Sequence, residues 1–236
     1  MEQAIVRERV ELKVADGTKM AAYVARPQEE GPHSGVIVLQ EAFGVNSHIR
    51  DVTERFAREG YVAIAPELFH RTAPGFEGRY DNFASVAPHM KAVTLEAAEQ
   101  DLQASYAWLT ARLDVNTDDM FCVGFCLGGK ISFLANTVLP LHATASFYGG
   151  GIAQELLSRA PNVKAPMLLA WGGLDKHIKP EHRAAVTEAL TASGKEYVNV
   201  EFSNADHAFF CDERPSYDAR AAEQAWVLLL EFFRSE

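Results

Sequence analysis

The chain has 236 residues, of which 48% are hydrophobic and 23% charged, and its formal net charge at neutral pH is −10. This length and composition predict one globular domain over residues 1–236. The acidic balance disfavours nucleic acid or an anionic membrane as a partner, because both repel a negative surface. No apolar run reaches the roughly 20 residues needed to span a bilayer.

The cysteines and the N-terminal segment bear on the compartment. Three cysteines give no disulfide framework and fit a reducing environment. The first residues, MEQAIVRERVELKV, lack the basic start and apolar stretch of a signal peptide. Together these features predict a cytoplasmic location.

The first half of the chain predicts a hairpin followed by alternating strands and helices. Segments that alternate apolar and polar residues flank Asp16-Gly17, a dipeptide typical of hairpin turns. Asn46 and Gly60 are suited to begin and end a helix. In chain order we then predict a strand over 35–40, a helix over 46–60, a strand over 61–68, a surface loop over 71–85 and a long helix beginning near Pro88.

The second half continues the alternation. We predict strands over 120–125, 143–149, 165–172 and 197–203, with helices after Cys126, over 152–160, over 181–193 and over 217–236. Such alternation implies an α/β fold: a mostly parallel central sheet of about eight strands, flanked by helices on both faces. The connections between strands are too short to hold a cap domain.

Residues 121–132, FCVGFCLGGKIS, fit two different motifs. From Gly124, two glycines frame four residues before a lysine, as in a phosphate-binding loop, and the same glycine begins the G-x-C-x-G spacing of a nucleophile elbow. A phosphate loop needs Ser or Thr directly after Lys130 to hold magnesium, and Ser132 comes one place late. An elbow needs a strand before it and a helix after it, as predicted here. We therefore favour Cys126 as a nucleophile.

The predicted elbow has consequences for the chemistry of Cys126. The turn lifts its sulfur to the carboxyl edge of the sheet, and the partial positive charge of the following helix favours the thiolate form. The alternative is that Cys126 is only a small buried hydrophobe. Cys122, inside the preceding strand, fits that description better.

A base and an acid follow the nucleophile in the order expected of an α/β-hydrolase. Asp175 comes after the strand over 165–172, where it could instead cap the helix near Pro180. His207 follows the last strand, and His177 is a rival because it is close to Asp175 in sequence. For the oxyanion of an acyl-transfer intermediate, the backbone N–H groups of Leu127 and Ala42 are the predicted donors.

Five blocks spread over nearly the whole chain form a recognisable set: QEAFGVNSHIRD, YVAIAPELF, GFCLGG, GGLDKHI and DHAFF. Together they resemble the dienelactone hydrolase family, within the α/β-hydrolase superfamily. The resemblance implies a cofactor-free hydrolase that opens unsaturated lactones such as carboxymethylenebutenolide, with Cys126, His207 and Asp175 as its triad. It also implies that Glu41 is a carboxylate that accepts the thiol proton when substrate arrives. From its sequence position alone, Glu41 is a polar residue at a strand end.

One position departs from the family pattern. The resemblance implies two arginines that hold a substrate carboxylate, one of them four residues after the catalytic His, where this chain has Cys211. Arg214 lies three residues further on, and Arg79 or Arg71 could serve as the other arginine. Loss of a planar guanidinium is not repaired by any nearby charge, so we expect a preference for neutral substrates. Four phenylalanines predict an apolar pocket, although each could equally belong to the core: Phe76, Phe83, Phe209 and Phe210.

Other functions remain open at this point. Within hydrolysis, neutral aryl or alkyl esters compete with anionic lactones, and neutral phosphotriesters are a further possibility for a promiscuous site. A ligand-binding protein on a hydrolase scaffold is an alternative from another class. A thiol redox protein using Cys122 and Cys126 and a nucleotide-binding protein are less favoured. We expect a small ester or lactone as the substrate, no nucleic-acid or membrane partner, and no cofactor or metal, while the sequence marks no subunit interface and leaves the oligomeric state open.

Overall fold

The computed structural model describes residues 3–235. Within this range the chain divides into two compact units, the first ending at Phe121 and the second beginning at Cys122. The strand Val115–Phe125 begins in the first unit and ends in the second. The α/β architecture predicted from the sequence is confirmed, and residues 3–235 contain no cap domain. Whether the two units fold as the predicted single domain stays a prediction.

The first unit begins with the predicted hairpin. Strands β1 and β2 pair antiparallel around the Asp16-Gly17 turn, where Gly17 has a φ of 86°, in the left-handed region that glycine tolerates. β2 then pairs antiparallel with β4, and β3 pairs parallel with β4. The elements are β1 (Ile5–Lys13), β2 (Lys19–Pro27), β3 (His33–Leu39), α1 (Ser47–Arg58), β4 (Val62–Pro66), α2 (Phe83–Ala92), α3 (Leu95–Thr110) and β5 (Val115–Phe125).

Two boundaries in this unit differ from the prediction. The predicted long helix is present as α3, but it begins at Leu95 and not near Pro88. Pro88 lies in a separate helix, α2, which begins at Phe83 and is separated from α3 by an extended residue at Val93. The side-chain oxygens of Asn82 and Thr94 accept N–H groups in the first turns of the two helices, so each helix has its own start. β5 also begins earlier than predicted, because the polar residues after Val115 still pair in the sheet.

The second unit alternates strands and helices. Strands β6, β7 and β8 pair parallel in sequence order, so their carboxyl ends meet at one edge. The helix predicted over 152–160 is shorter than expected, with one α-helical turn followed by a 3-10 helix over Leu157–Asn162 that contains Pro161. The elements after β5 are α4 (Leu127–Val138), β6 (Ala143–Phe147), α5 (Ile152–Glu155), β7 (Met167–Gly172), α6 (Pro180–Ala192), β8 (Tyr197–Phe202) and α7 (Ala219–Ser235). The strand order of the eight-stranded sheet is β1-β2-β4-β3-β5-β6-β7-β8.

Three strands of the sheet are covered on both faces, which accounts for their apolar sequences. β4, β6 and β7 are buried along their whole length, as expected for strands covered on both faces. Among the helices formed by residues 3–235, none has the length and apolar character required to cross a membrane.

Candidate active site

Cys126 lies in a strained turn between β5 and α4. Its φ of 53° and ψ of −110° are unfavourable for a residue with a Cβ atom, and such strain persists only where the surroundings hold it. One interaction that holds Cys126 in this conformation is the hydrogen bond from its backbone N–H to the carbonyl oxygen of Phe147, at 3.0 Å. This is the geometry expected of a nucleophile elbow.

Glycines around Cys126 allow the strand and helix to approach each other. A Cβ atom on Gly124 would collide with the carbonyl group of Gly128, which is backbone and cannot move aside. A Cβ atom on Gly129 would lie 2.7 Å from both the Cα atom of Gly149 and the carbonyl oxygen of Phe147. The small residues that the sequence places here are therefore a steric requirement of the turn.

Asp175 follows β7 and its carboxylate is fixed from two sides. Its Oδ1 atom accepts the backbone N–H groups of His177 at 2.7 Å and Ile178 at 3.0 Å. Its Oδ2 atom lies 2.7 Å from Nδ1 of His207. The side chain is 1% exposed, so these bonds replace the water that the carboxylate loses. Asp175 does not cap α6: its carboxylate accepts N–H groups from the loop before the helix.

His207 links the carboxylate to the thiol. While Nδ1 contacts Asp175, the other ring nitrogen, Nε2, lies 3.3 Å from Sγ of Cys126. The structure therefore brings Cys126, His207 and Asp175 together in one hydrogen-bonded chain. The sequence rival His177 packs its ring against His207 with 5.2 Å between centroids and takes no place in the chain itself.

The pKa values of His207 and Asp175 shift in opposite directions. Burial favours the neutral form of the His207 imidazole, but hydrogen bonds and charges from Asp175 and Cys126 outweigh it and raise its pKa to about 10. Burial alone would raise the pKa of Asp175, but the contact with His207 and the two backbone N–H bonds hold it below its ordinary value. The site thus favours an imidazolium beside a carboxylate.

The loop that carries His207 is set by close backbone packing. A Cβ atom on Gly172 would lie 2.7 Å from the carbonyl oxygens of Ala205 and Asp206, so only glycine lets this loop pack on the end of β7. Ala208, next to His207, has a φ of 62°. Such strain beside a reactive group is common at functional sites.

Tyr148, which the sequence analysis missed, supports His207 from the buried side. Its ring is fully buried and meets the His207 ring edge-on, with 5.2 Å between centroids. Its φ of 39° makes it, with Cys126 and Ala208, one of three non-glycine residues with positive φ between residues 3 and 235. The available signal was a tyrosine at the carboxyl end of the strand predicted over 143–149.

The predicted oxyanion donors, Leu127 and Ala42, and the predicted proton acceptor Glu41 each lie just after the end of a strand. Leu127 is the first residue of α4, whose initial N–H groups have no partner within the helix. Ala42 and Glu41 follow β3 in the first unit and are 2% and 1% exposed. Their roles stay predictions.

The predicted arginine partners have other contacts. Arg79 is 79% exposed and pairs with Asp81, its NH2 group 2.7 Å from a carboxylate oxygen. Arg71 binds the buried Asp101 through two nitrogens, at 2.9 and 2.8 Å. Arg71 therefore joins the segment after β4 to α3, and a substrate role for either arginine stays a prediction.

The predicted apolar pocket residues have mixed positions. Phe209 is fully buried and packs on Tyr148, 5.1 to 6.4 Å from its aromatic neighbours, so its observed contacts are those of a core residue. Phe210 and Cys211 are also buried, whereas Phe83 is 55% exposed. Phe76 is half-buried against Phe43, Ala42 and Val86.

The phosphate-loop and thiol-redox interpretations of residues 121–132 receive little support. Lys130 forms an ion pair with Glu155 at 3.0 Å, which occupies the cation that a phosphate would need. Cys122 and Cys126 both carry free thiols, and complete burial raises the pKa of Cys122, which makes it unreactive.

A mostly parallel α/β sheet with a strained cysteine at an elbow and a hydrogen-bonded chain of Cys, His and Asp after its strands defines the α/β-hydrolase class. Comparisons with known proteins then give the family. The model of the "Dienelactone hydrolase family" matches residues 20–236. The chain belongs to the dienelactone hydrolase family and is a hydrolase.

Individual relatives agree with this assignment. A Synechocystis protein named "Putative carboxymethylenebutenolidase" is 38% identical over 227 residues, 92% of each chain. An Escherichia coli protein with the same name is 35% identical and aligns over 93% of this chain and 84% of its own. A crystal structure of a "Putative Dienelactone Hydrolase" from Klebsiella pneumoniae has a TM-score of 0.89 and 32% identity, covering 99% of this chain and 100% of its own.

A more distant structure shares the fold. It is a dienelactone hydrolase-like promiscuous phosphotriesterase from metagenomic libraries, with a TM-score of 0.86, 23% identity and 98% coverage of both chains. At this identity the likeness concerns the fold alone.

Proposed function

We propose that the protein hydrolyses a small lactone or ester through a thioester on Cys126. The observation that carries this proposal is the continuous chain from Asp175 Oδ2 through His207 to Cys126 Sγ, with separations of 2.7 and 3.3 Å. The family assignment and the carboxymethylenebutenolidase relatives support the same class of substrate.

In the first half-reaction the thiolate of Cys126 attacks the carbonyl carbon. A C–S bond forms, and the π electrons of the carbonyl move to its oxygen. When this oxyanion collapses, the C–O bond breaks and the leaving oxygen takes the proton held on Nε2 of His207. The products are the thioester and a hydroxyl group, which stays attached to the acyl chain when the substrate is a lactone.

In the second half-reaction water replaces the leaving group. His207 accepts a proton from the water as its oxygen attacks the thioester carbon, and the C–S bond then breaks to release a carboxylic acid. The thiolate and the imidazolium are restored. Asp175 holds the ring in one tautomer and stabilises its positive charge in both halves.

The remaining predicted residues complete the proposal. The N–H groups of Leu127 and Ala42 would stabilise the oxyanion. As the family resemblance implies, Glu41 would accept the proton of any Cys126 side chain that is still a thiol when substrate arrives, so that the thiolate is the species that attacks. These steps need no cofactor. A cytoplasmic location, predicted from the cysteines, stays part of the proposal.

A second candidate is a preference for neutral esters or phosphotriesters. Position 211, where the resemblance implies an arginine, holds a fully buried cysteine, and Arg79 is already paired with Asp81. Without bidentate arginines, a substrate carboxylate loses its main attraction. The promiscuous phosphotriesterase that shares this fold makes neutral phosphotriesters a reasonable class of substrate to test.

The test is kcat/KM for an anionic dienelactone and for the neutral ester p-nitrophenyl acetate. We expect both to be cleaved by the wild type and neither by Cys126→Ala, with a loss of at least about 10³-fold. Cys122→Ala is the matched control, because its thiol is buried and outside the hydrogen-bonded chain. We expect that variant to retain activity within about threefold.

The outcomes separate the candidates. Preference for the lactone would show that its carboxylate is bound by another cation, and preference for the neutral ester by orders of magnitude would support the second candidate. Absence of turnover with both, or full activity in Cys126→Ala, would contradict hydrolysis through Cys126 and favour the ligand-binding alternative.

A further inference from the structure

His177 has an unusual position beside the proposed base. Its backbone N–H donates to Oδ1 of Asp175 at 2.7 Å, and the following residue, Ile178, is 4% exposed and donates to the same oxygen. The imidazole of His177 is exposed and meets that of His207 at 5.2 Å and 72°. The main chain of His177 is thus anchored by the triad, while its side chain faces solvent next to the base.

The two ring neighbours of His207 differ in accessibility. Tyr148 lies 5.2 Å away and is fully buried, so a substrate cannot reach His207 past that ring. The ring of His177 lies at the same centroid distance and is open to solvent. A substrate group that approaches His207 from solvent on this side therefore has His177 as its neighbour.

The proposed reaction identifies the substrate group on this side of His207 as the leaving group. Nε2 of His207 must deliver its proton to the leaving oxygen, which requires about 2.6–3.2 Å between them. The atoms attached to that oxygen then lie next to His207. The acyl group, by contrast, is bonded to Cys126 Sγ once the thioester has formed.

We propose that His177 forms one wall of a leaving-group subsite that selects flat, conjugated leaving groups, such as an aryl oxide or an enolate. This inference rests on the proposed function and adds to it the class of leaving group. A planar imidazole on an anchored main chain offers a ring face and edge, and aromatic pairs of this kind contribute free energy beyond simple area burial. A non-planar alkyl leaving group cannot make the same contact.

The experiment compares two acetate esters with the same acyl group and different leaving groups, phenyl acetate and 2,2,2-trifluoroethyl acetate. For each enzyme variant we take the ratio of kcat/KM for the phenyl ester to that for the trifluoroethyl ester. Dividing by the wild-type ratio cancels the intrinsic reactivity of the two esters. We expect His177→Ala to lower the ratio about three- to tenfold and His177→Phe to keep it within about twofold.

A second measurement separates a subsite from a positioning role. Both esters give the same acetyl thioester, so its hydrolysis, followed by single-turnover kinetics, does not involve the leaving group. We expect this deacylation rate to be unchanged in His177→Ala. If deacylation slows as much as acylation, His177 acts by positioning His207 and the subsite is contradicted.

Failure of the subsite and failure of the proposed function give different results. An active His177→Ala enzyme with an unchanged ester ratio contradicts the subsite alone. So does a His177→Phe enzyme whose ratio falls as far as that of His177→Ala. If the wild type cleaves neither ester, or Cys126→Ala cleaves them equally well, hydrolysis through Cys126 is contradicted and the subsite with it.

Discussion

At the scale of single residues, the carboxylate of Asp175 has two separate tasks. One oxygen accepts two backbone N–H groups and fixes the loop, while the other faces Nδ1 of His207. An asparagine could keep the first task through its carbonyl oxygen. Its amide NH₂ group, however, is a donor and cannot accept the N–H of the histidine.

We therefore expect Asp175→Asn to fold normally and to lose activity. Without an acceptor for Nδ1–H, the ring adopts the tautomer that places no proton on Nδ1, and its cation loses a stabilising charge. We expect kcat for p-nitrophenyl acetate to fall about 10²- to 10⁴-fold, with a small change in KM. Steady-state kinetics beside a far-ultraviolet circular dichroism spectrum measure both effects.

The neighbouring carboxylate provides a matched control for this substitution. Asp206 accepts the backbone N–H of His207 at 2.6 Å, a bond that the carbonyl oxygen of asparagine can also make. Asp206→Asn should stay within about threefold of wild type. Equal losses in the two variants would mean that charge near the loop, rather than the Asp175–His207 contact, controls the rate.

How far the sequence predicts this site depends on the residue. Cys126 and Asp175 could be placed because each follows a strand whose apolar run is visible in the sequence, and the elbow glycines identify the first of them. His207 could be placed because it follows the alternating segment YVNVEF, the last predicted strand. Phe209 and Arg79 could not be placed, since an aromatic or charged letter does not show which way its side chain turns. Phe209 turns inward among other rings, and Arg79 turns outward to Asp81.

At the scale of secondary-structure elements, the β5–α4 turn depends on the absence of a side chain at residue 124. A Cβ atom there would collide with the carbonyl group of Gly128, so β5 and α4 would have to move apart. We expect Gly124→Ala to lower the free energy of unfolding by about 1–3 kcal/mol and to displace Cys126. Activity should then fall more steeply than stability, because a shift of about 1 Å at the reacting group is costly.

Gly150 provides the comparison for the elbow glycine. An added Cβ atom on Gly150 would meet the Cγ1 atom of Ile178 at 3.7 Å, an ordinary contact distance. Gly150→Ala should leave urea-induced unfolding and kcat/KM close to wild type. If Gly124→Ala behaves in the same way, the turn is more flexible than the packing of its backbone indicates.

The elements that the sequence predicted poorly are those set by local capping rather than by apolar runs. Asn82 and Thr94 each begin a helix, yet a proline at residue 88 suggested a single start. Similarly, the polar residues at the start of β5 carry no strand pattern and are held by pairing with the rest of the sheet. Pairing partners far away in sequence cannot be recognised from a local segment.

At the scale of the whole molecule, the proton equilibria of the site contribute to folding stability. The folded-state pKa of His207 is raised to about 10, above the ordinary value of about 6.5, so protonated His207 stabilises the fold fully below about pH 6.5. This contribution is lost as the pH rises toward about 10. The pKa of Asp175 is lowered, so its contribution is present above about pH 4 and lost as the pH falls.

The pair thus stabilises the protein most between about pH 4 and pH 6.5, and the loss of stability above this range comes from the histidine. We expect the difference in unfolding free energy between wild type and His207→Gln to shrink steadily from about pH 6.5 to about pH 10. Urea titrations at pH intervals of about one unit measure it. His182→Gln, at a half-buried histidine of α6 outside the hydrogen-bonded chain, gives the background. A difference that stays constant over this range would show that His207 is neutral in the folded enzyme.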